Sequence, residues 1–380
     1  MNNEYYFNFL EESEKAIKNS SSPCLCSLKE SLNISNPLLT HLSLSLFKSI
    51  ENLDEELARF EKKFLSGNNS IFWSSDYSEV FVYLKKIIKS QKARSVRLPN
   101  INSSTIFREL GIKYFLQDEK IELSDNADIQ FFAVDMLFSD NGSLLLLNQS
   151  NNSLQKLCNS TTNVFFVTID RLCNNSSWAE VLQQVASYGN GGARQDMIIF
   201  RSSPNCNNYL FVIDNQRTNL LKDSFLRRSL TCLQCGRCND VCPVYQSIGS
   251  EPYNNVFVGP MANIILPYLE TFESYKHLPY ICTFCGNCER VCPLGIPIRD
   301  MNIHVRQSLL ESGVLEKEDR RLLSVIRKLS FSRKKLNGAR FIKNHLLLKH
   351  ASSSMRRNRA LPVLSTETFN KSYKKKQSNA

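Results

Sequence analysis

The sequence predicts an N-terminal α/β domain with a mostly parallel sheet, followed by an α-helical domain that is rich in cysteine. Two observations predict this order. Short β-rich runs alternate with helical patterns as far as residue 222, and beyond residue 223 the strand signals stop and the cysteines become dense. Alternating strands and helices are typical of a parallel sheet that is covered by helices.

These changes along the chain divide its 380 residues into four predicted parts. A helical N-terminal extension covers 1–50 and the α/β domain covers 51–222. The helical cysteine-rich domain covers 223–315, and a basic tail covers 316–380. A chain of this length can bury a sizeable core and form more than one domain.

The α/β domain is predicted to begin with an amphipathic helix, because Leu53, Leu57, Phe60 and Phe64 recur at helical spacing. A second helix is predicted after Asp76, where Glu79 follows three residues later as in a capping box. The strand candidates are SIFW (70–73), SVRL (95–98), IKYFL (112–116), IQFFAV (129–134), SLLLL (143–147), NVFFVTI (163–169), DMIIF (196–200) and YLFVID (209–214). Helical patterns lie between some of these runs, in STIFREL (104–110) and SWAEVLQQVAS (177–187).

The net charge of +11 comes from the tail, where residues 316–380 hold 18 Lys and Arg against 4 Asp and Glu. We interpret this segment as a solvated tail or as a docking arm for an acidic partner or a membrane surface. Nucleic acid is a weaker interpretation, because the basic residues lack regularly spaced aromatic ones. The sequence contains no run of about 18 apolar residues, so no membrane-spanning helix is expected. The N-terminus lacks the pattern of a signal peptide. We therefore expect a cytoplasmic protein, free or peripheral to the inner face of the membrane.

Eight of the 13 cysteines form two ladders of identical spacing, C-x2-C-x2-C-x3-C-P, that start 50 residues apart. In a long chain without an export signal, this pattern indicates metal ligation in a reducing compartment rather than disulfides. The first ladder is Cys232, Cys235, Cys238 and Cys242, and the second is Cys282, Cys285, Cys288 and Cys292. The remaining cysteines are expected to be ordinary thiols: Cys24, Cys26, Cys158, Cys173 and Cys206.

The ladder spacing predicts two 4Fe–4S clusters with crossed ligation. Three cysteines at this spacing can surround one face of a cluster, while the fourth, held by the proline turn, points toward the other cluster. The predicted ligand sets are Cys232, Cys235, Cys238 with Cys292, and Cys282, Cys285, Cys288 with Cys242. Gly236 and Gly286 follow the second cysteines, where a missing side chain lets the loop approach the cluster and donate N–H bonds. The alternatives are zinc sites or disulfides, but zinc favours two separated C-x2-C pairs for each ion.

The ladders and their flanks resemble the lactate utilisation protein B family, in which a LUD domain precedes a dicluster ferredoxin domain. The first ladder continues as Cys-Pro-Val-Tyr (242–245), then Ile-Gly (248–249), Tyr253 and Gly-Pro (259–260), and the second continues to Ile-Pro (296–297). FVIDNQR (211–217) resembles the turn before the ferredoxin part, and LPVLSTETFNKSYKKK (361–376) resembles the family's ending. This resemblance covers residues 50–315 and 360–376.

The resemblance implies an iron–sulfur electron-transfer subunit of an oxidoreductase complex that converts lactate to pyruvate. It also implies two partners, a CCG-type cysteine-rich subunit and a stand-alone LUD subunit. No G-x-G-x-x-G motif and no nucleophile–base pair is visible, so no catalytic residue is assigned and the chain is expected to be non-catalytic. The alternatives are a relay for a different 2-hydroxy acid or another donor, and a binding or scaffold protein with structural clusters.

The LUD-like part departs from the family pattern in two places. QKARSVRLPNINSSTIFREL (91–110) occupies the position of the family's Lys-Ser-Lys-Ser stretch, and SDNGS (139–143) occupies that of Ala-Glu-Thr-Gly-Thr/Ser. The SDNGS segment is interpreted either as the remnant of a small-molecule site or as a simple hairpin turn, since Asn-Gly favours that geometry.

Overall fold

The computed structural model describes residues 36–66, 68–93, 95–98, 105–124, 127, 129–147, 157, 161–187, 196–202, 206–314, 324, 327–328, 331 and 369–378. The chain divides into two compact units, one of residues 15–308 and one of residues 1–14 with 309–380. The domain bounds expected from the sequence remain predictions. Most of the predicted basic tail lies outside the described residues.

The described strands and helices follow the predicted order. Strands and helices both occur up to residue 213, and the described elements beyond it are helical. The strands are β1 (Asn69–Ser74), β2 (Ser95–Arg97), β3 (Glu122–Leu123), β4 (Ile129–Ala133), β5 (Met136–Phe138), β6 (Ser143–Leu147), β7 (Thr162–Thr168), β8 (Leu172–Cys173), β9 (Met197–Phe200) and β10 (Asn207–Ile213). The helices up to the ladders are α1 (Asn36–Glu51), α2 (Leu53–Phe64), α3 (Tyr77–Ser90), α4 (Thr105–Leu110), α5 (Ile112–Asp118), α6 (Ala179–Ser187) and α7 (Arg217–Leu221). The later helices are α8 (Arg237–Asp240), α9 (Pro243–Ile248), α10 (Gly259–Leu269), α11 (Phe272–Tyr275), α12 (Leu278–Ile281), α13 (Asn287–Val291), α14 (Ile298–Ser312) and α15 (Phe369–Ser378).

The mostly parallel sheet expected from the sequence is confirmed. Six strands lie in the order β1-β10-β7-β4-β2-β3, and every neighbouring pair in this sheet is parallel. One face packs on α3, α4 and α5 through apolar side chains such as Phe131, Phe166 and Phe211. The central strands are buried on both faces, as is usual for parallel sheets, so they read as continuous apolar runs in the sequence.

A second sheet covers the other face of the first, and the sequence did not predict it. Its order is β8-β5-β6-β9, with antiparallel pairs between β5 and β6 and between β6 and β9. Phe165 on β7 contacts Phe200 on β9 with ring centroids 5.0 Å apart. The SLLLL run therefore forms a strand as predicted, but in this second sheet.

The start of α3 is capped by Asp76, as the capping-box-like pattern predicts. The Asp76 carboxylate accepts bonds from the N–H groups of Ser78 and Glu79, at 2.8 and 3.1 Å. The Glu79 carboxylate reaches back to the N–H of Ser75 at 2.8 Å. Two donors at the helix start that have no partner within the helix are thus satisfied by side chains.

The strand prediction for IKYFL is wrong, because residues 112–118 form α5. Ile112, Phe115 and Leu116 are buried, and their spacing of three and four residues matches one face of a helix. The abundance of β-branched and aromatic residues favoured a strand, but packing of this face against the large sheet decides the structure.

The cysteine-rich region is helical, as predicted, and α10 lies at its centre. Nearly all of α10 is buried, and it packs against α7, α8, α11 and α12. Helix α1 packs on β8 and on the 3-10 turn Leu226–Thr231. Its Ser43 hydroxyl donates to the carbonyl of Leu294, at 2.6 Å, beside the second ladder.

None of the described helices combines the length and the apolar character that crossing a lipid bilayer requires.

Candidate metal centres

The two ladders share the same backbone turn around their second cysteines. The residue before the second cysteine has a positive φ in each, 55° at Gln234 and 58° at Phe284. The glycine after the second cysteine has a positive φ as well, 76° at Gly236 and 74° at Gly286. The sequence repeat is therefore a structural repeat, and the glycines occupy positions where other residues would be strained.

Backbone N–H groups donate to equivalent cysteine sulfurs in both ladders. Near the first cysteines, Gln234 donates to Cys232 Sγ and Phe284 donates to Cys282 Sγ, each at 3.4 Å. Near the fourth cysteines, the N–H groups of Tyr245 and Ile296 lie 3.5 Å from the sulfurs of Cys242 and Cys292. These bonds suit sulfurs that carry negative charge when they ligate a metal. The N–H bonds that the loops at Gly236 and Gly286 are expected to donate to a cluster stay a prediction, since these four bonds go to cysteine sulfurs.

The eight cysteines surround two cavities in crossed sets. The first cavity, of about 240 Å³, is lined by three cysteines of the first ladder and by the fourth of the second: Cys232, Cys235, Cys238 and Cys292. The second cavity is smaller, about 20 Å³, and is lined by the other four cysteines: Cys242, Cys282, Cys285 and Cys288. Each cavity is thus lined by one of the two sets of four cysteines that the ladder spacing predicts as ligands.

Burial raises the pKa of six of the eight ladder thiols, which favours their protonated form when no metal is bound. It raises the pKa of Cys232 and Cys288 to about 12, and neighbouring cysteines of the same set add to the rise. Burial also raises the pKa of four others: Cys235, Cys238, Cys242 and Cys292. Metal ligation needs thiolates, so cluster binding must release these protons.

The two sites lie next to each other. The short helices α8 and α13, which each carry a third cysteine, pack together. The Asn287 amide donates across this contact to the carbonyl of Val241 at 3.5 Å. Cys288 is close enough to raise the pKa of Cys238, the third cysteine of the other ladder.

The sites differ in their exposure to solvent. Cys285 of the second set is exposed, while no cysteine of the first set is. Within the described ranges, no group of three or more His, Cys, Asp or Glu side chains is placed to hold a metal ion as it stands.

Gly259, part of the Gly-Pro pair of the family pattern, has a structural role beside the first site. Its φ is 75°, and a Cβ atom there would lie 1.9 Å from Oδ1 of Asn239, the residue after Cys238. The glycine lets the start of α10 approach α8 closely. This contact fixes the position of the segment that carries the third cysteine.

A buried ion-pair cluster borders the first cavity, and the sequence did not assign it a role. Arg217, at the end of the FVIDNQR segment, pairs with Glu109 at 3.1 Å and with Asp170 at 2.8 Å. The three side chains are less than 10% exposed. Burial opposes their charges, but the two carboxylates raise the pKa of Arg217, and Arg217 with Arg171 lowers the pKa of Asp170. Arg217 and Asp170 are therefore charged, and the ion pairs join the carboxyl ends of β7 and β10 to α4.

The SDNGS segment forms the hairpin turn between β5 and β6. The Asp140 carboxylate accepts from the N–H and hydroxyl of Ser176, at 2.9 and 2.7 Å. Asn141 accepts from the N–H of Ser143 at 2.9 Å. These bonds stabilise the turn, which favours the interpretation as a hairpin.

Two of the five cysteines outside the ladders are described. Cys173 and Cys206 are buried thiols and are not in disulfides. Burial raises the pKa of Cys173 to about 11, so it is a weak nucleophile. Cys24, Cys26 and Cys158 lie outside the described residues.

Residues 228–296 match the family model described as a 4Fe-4S dicluster domain. Lactate utilization protein B of Exiguobacterium sp. is 38% identical over 103 residues, which are 27% of this chain and 22% of that protein. Lactate utilization protein B of Bacillus subtilis is 28% identical over 194 residues, 49% of this chain and 40% of that protein. An uncharacterized electron transport protein of Escherichia coli, YkgF, is 34% identical over 117 residues, 31% of this chain and 24% of that protein.

Among solved structures, a DUF162 family protein from Deinococcus radiodurans matches with a TM-score of 0.31 and 15% identity. The match covers 43% of this chain and 98% of that one. The matches to the three curated relatives span between 22% and 40% of their lengths. The resemblance of the chain to the lactate utilisation protein B family is confirmed by the matches to these relatives, and its ladder region matches the 4Fe-4S dicluster domain.

Proposed function

We propose that this chain is an iron–sulfur electron-transfer protein that holds two 4Fe–4S clusters and serves the oxidation of lactate to pyruvate. The observation that supports this most is the crossed arrangement of two sets of four thiols around neighbouring cavities. The N–H donors at the sulfurs and the dicluster family match support the same cofactor. In the first set the ligands are Cys232, Cys235, Cys238 and Cys292, and in the second they are Cys282, Cys285, Cys288 and Cys242.

The residues of each site fit such a cofactor by their chemistry. A 4Fe–4S cluster takes four cysteine thiolates and passes one electron at a time. The second cavity is the smaller one, and its Cys285 is exposed.

The chain's role is that of a relay. Lactate gives up two electrons and two protons when it becomes pyruvate, and two neighbouring one-electron sites suit the onward passage of those electrons. When all four irons of a cluster are ligated by cysteine, no open position remains for a substrate oxygen. We therefore place the cleavage of the C–H bond in partner subunits, which the family resemblance implies to be a CCG-type cysteine-rich protein and a stand-alone LUD protein.

The test is lactate-dependent reduction of a dye under anaerobic conditions. The cluster-loaded chain alone should be nearly inactive, and activity should appear when both partner proteins are added. Cys238→Ser should abolish that activity, while Cys206→Ser, at a buried cysteine outside the ladders, should leave it unchanged.

Three other outcomes would contradict parts of the proposal. Full activity of the chain alone contradicts the relay. An inactive mixture whose clusters still reduce and reoxidise contradicts lactate as the donor and points to another donor, such as a different 2-hydroxy acid. Clusters that do not change redox state, together with salt-sensitive DNA binding, indicate a scaffold protein.

A further inference from the structure

The first cysteine of each ladder is held by an arginine from outside the ladders. Arg171 Nη1 donates to the carbonyl of Cys232 at 3.1 Å. Arg306 Nη2 donates to the carbonyl of Cys282 at 3.0 Å. Cys232 and Cys282 are equivalent in the repeat, but the two arginines are not, since Arg171 lies in the turn between β7 and β8 and Arg306 lies in α14. Two unrelated parts of the chain thus supply the same contact to the two sites.

Arg306 contacts the loop of the second ladder through both hydrogen bonds and aromatic rings. Its Nε and Nη2 donate to the carbonyl of Pro279 at 2.9 and 2.7 Å. Its guanidinium lies 4.1 Å from the ring centroid of Phe284 and 5.0 Å from that of Tyr280. Phe284 is the residue whose N–H donates to Cys282 Sγ. A planar guanidinium can make these bonds and stack at the same time, whereas a lysine ammonium cannot.

Arg171 connects the α/β region to the first ladder. Its main chain is fixed in the second sheet, because its carbonyl accepts from the N–H of Leu137 at 2.8 Å. The preceding residue, Asp170, belongs to the buried ion-pair cluster with Arg217. The Arg171 side chain crosses from this position to the carbonyl of Cys232, so the geometry of the sheet edge determines where its charge lies.

We propose that Arg171 and Arg306 are a matched pair of positioning residues, and that each makes electron uptake more favourable at the cluster of its own ladder. The inference rests on the proposed function, since it requires both clusters. A cluster that accepts one electron passes from the 2+ to the 1+ state and gains a negative charge, with no bond made or broken. A fixed positive charge beside it stabilises the reduced state, and the electron is easier to add. The α/β region would in this way set the reduction potential at the first site, and α14 would set it at the second.

The experiment is a redox titration with dithionite, followed by EPR, on the full chain loaded anaerobically with iron and sulfide. The signal altered by Cys285→Ser is assigned to the second site. Arg171→Gln should lower the equilibrium constant for reduction of the first site by about tenfold, which is about 59 mV for one electron. Arg306→Gln should do the same at the second site only.

Three further variants serve as controls. The lysine variants Arg171→Lys and Arg306→Lys keep the positive charge, so they should keep most of the reduction potential that the glutamine variants lose. They lack the planar guanidinium and its several N–H donors, so they should change the line shape of the affected signal. Arg290→Gln removes a positive charge from the surface of the second ladder, where Arg290 is exposed and contacts Asn287. This variant should shift neither potential appreciably.

The inference is wrong if each glutamine variant shifts both potentials equally, or shifts them no more than Arg290→Gln does. If a glutamine variant fails to hold iron, the lysine variant decides. A lysine variant that keeps most of the potential and changes the line shape at the expected site supports the inference, and one that holds iron but loses the potential although it keeps the charge contradicts it. Failure of the unmodified chain to hold about eight irons would instead contradict the proposed function.

Discussion

The Cys242→Ser variant should lose the normal signal of the cluster that is ligated by Cys282, Cys285 and Cys288, although Cys242 belongs to the first ladder. The reason is the crossed arrangement, in which Cys242 lines the second cavity with those three residues. The reciprocal variant, Cys292→Ser, should alter the cluster of Cys232, Cys235 and Cys238. A cluster that loses one of four thiolate ligands loses an iron or changes its spin state, so the effect on one of the two EPR signals should be complete.

Iron content and EPR of the reduced protein measure this result. Cys206→Ser is the matched control, because it removes a buried thiol that lines neither cavity. If Cys242→Ser alters only the signal assigned to the first site, each ladder binds its own cluster and the crossed arrangement is wrong.

The Arg217→Met variant should lose about 3–5 kcal/mol of unfolding free energy at pH 7. Glu109 and Asp170 would then be buried without the cation that both of them contact. The loss should be largest at neutral pH. In the native chain the pKa of Asp170 is lowered despite its burial, by Arg217 and Arg171, so its stabilising effect is fully present above the unfolded pKa of the carboxyl and is lost as the pH falls through its lower folded pKa. Without Arg217, burial favours the protonated carboxyls, so the difference between the two proteins should shrink as the pH falls.

Urea denaturation followed by tryptophan fluorescence at pH 7 and at lower pH measures this difference. Both tryptophans of the chain, Trp73 and Trp178, lie among the strands and helices of the α/β region. Lys85→Met is a suitable control, since Lys85 is 45% exposed and pairs with Glu119 at the surface. The Lys85→Met variant should lose less than about 1 kcal/mol of unfolding free energy. If Arg217→Met loses as little unfolding free energy as the control does, the buried ion pairs of Arg217 contribute little to the stability of the fold.

The sequence predicted the strands of the large sheet well, because strands buried on both faces appear as uninterrupted apolar runs. β4 falls within the run at 129–134, and β7 and β10 overlap the runs at 163–169 and 209–214, starting one and two residues earlier. The same rule could not assign β6 to its sheet, since a run of leucines carries no information about its pairing partners. The short strands β5 and β8 gave no signal of their own, so the second sheet was missed.

For the candidate sites, the sets of cysteines that line the two cavities are the sets that the ladder spacing groups. Local geometry within one loop accounts for three members of each set, whereas the fourth comes from the other ladder and was grouped by the ligation pattern typical of this spacing. The assignment of these cysteines as ligands stays a prediction. The arginines that contact the ladders were not predictable in the same way. Arg171 lies 61 residues from the Cys232 carbonyl in sequence, and Arg306 lies 24 residues from that of Cys282. No local pattern links such pairs, and only the packing of the turn after β7 and of α14 brings them to the loops.

The measurement that tests the central claim most directly is the metal and sulfide content of the anaerobically prepared chain, together with EPR of the reduced protein. Two 4Fe–4S clusters predict about eight irons and about eight acid-labile sulfides per chain, with two reducible signals. About two zinc ions without iron would contradict the cluster assignment. About four irons with a single signal would show that only one of the two sets of thiols binds a cluster.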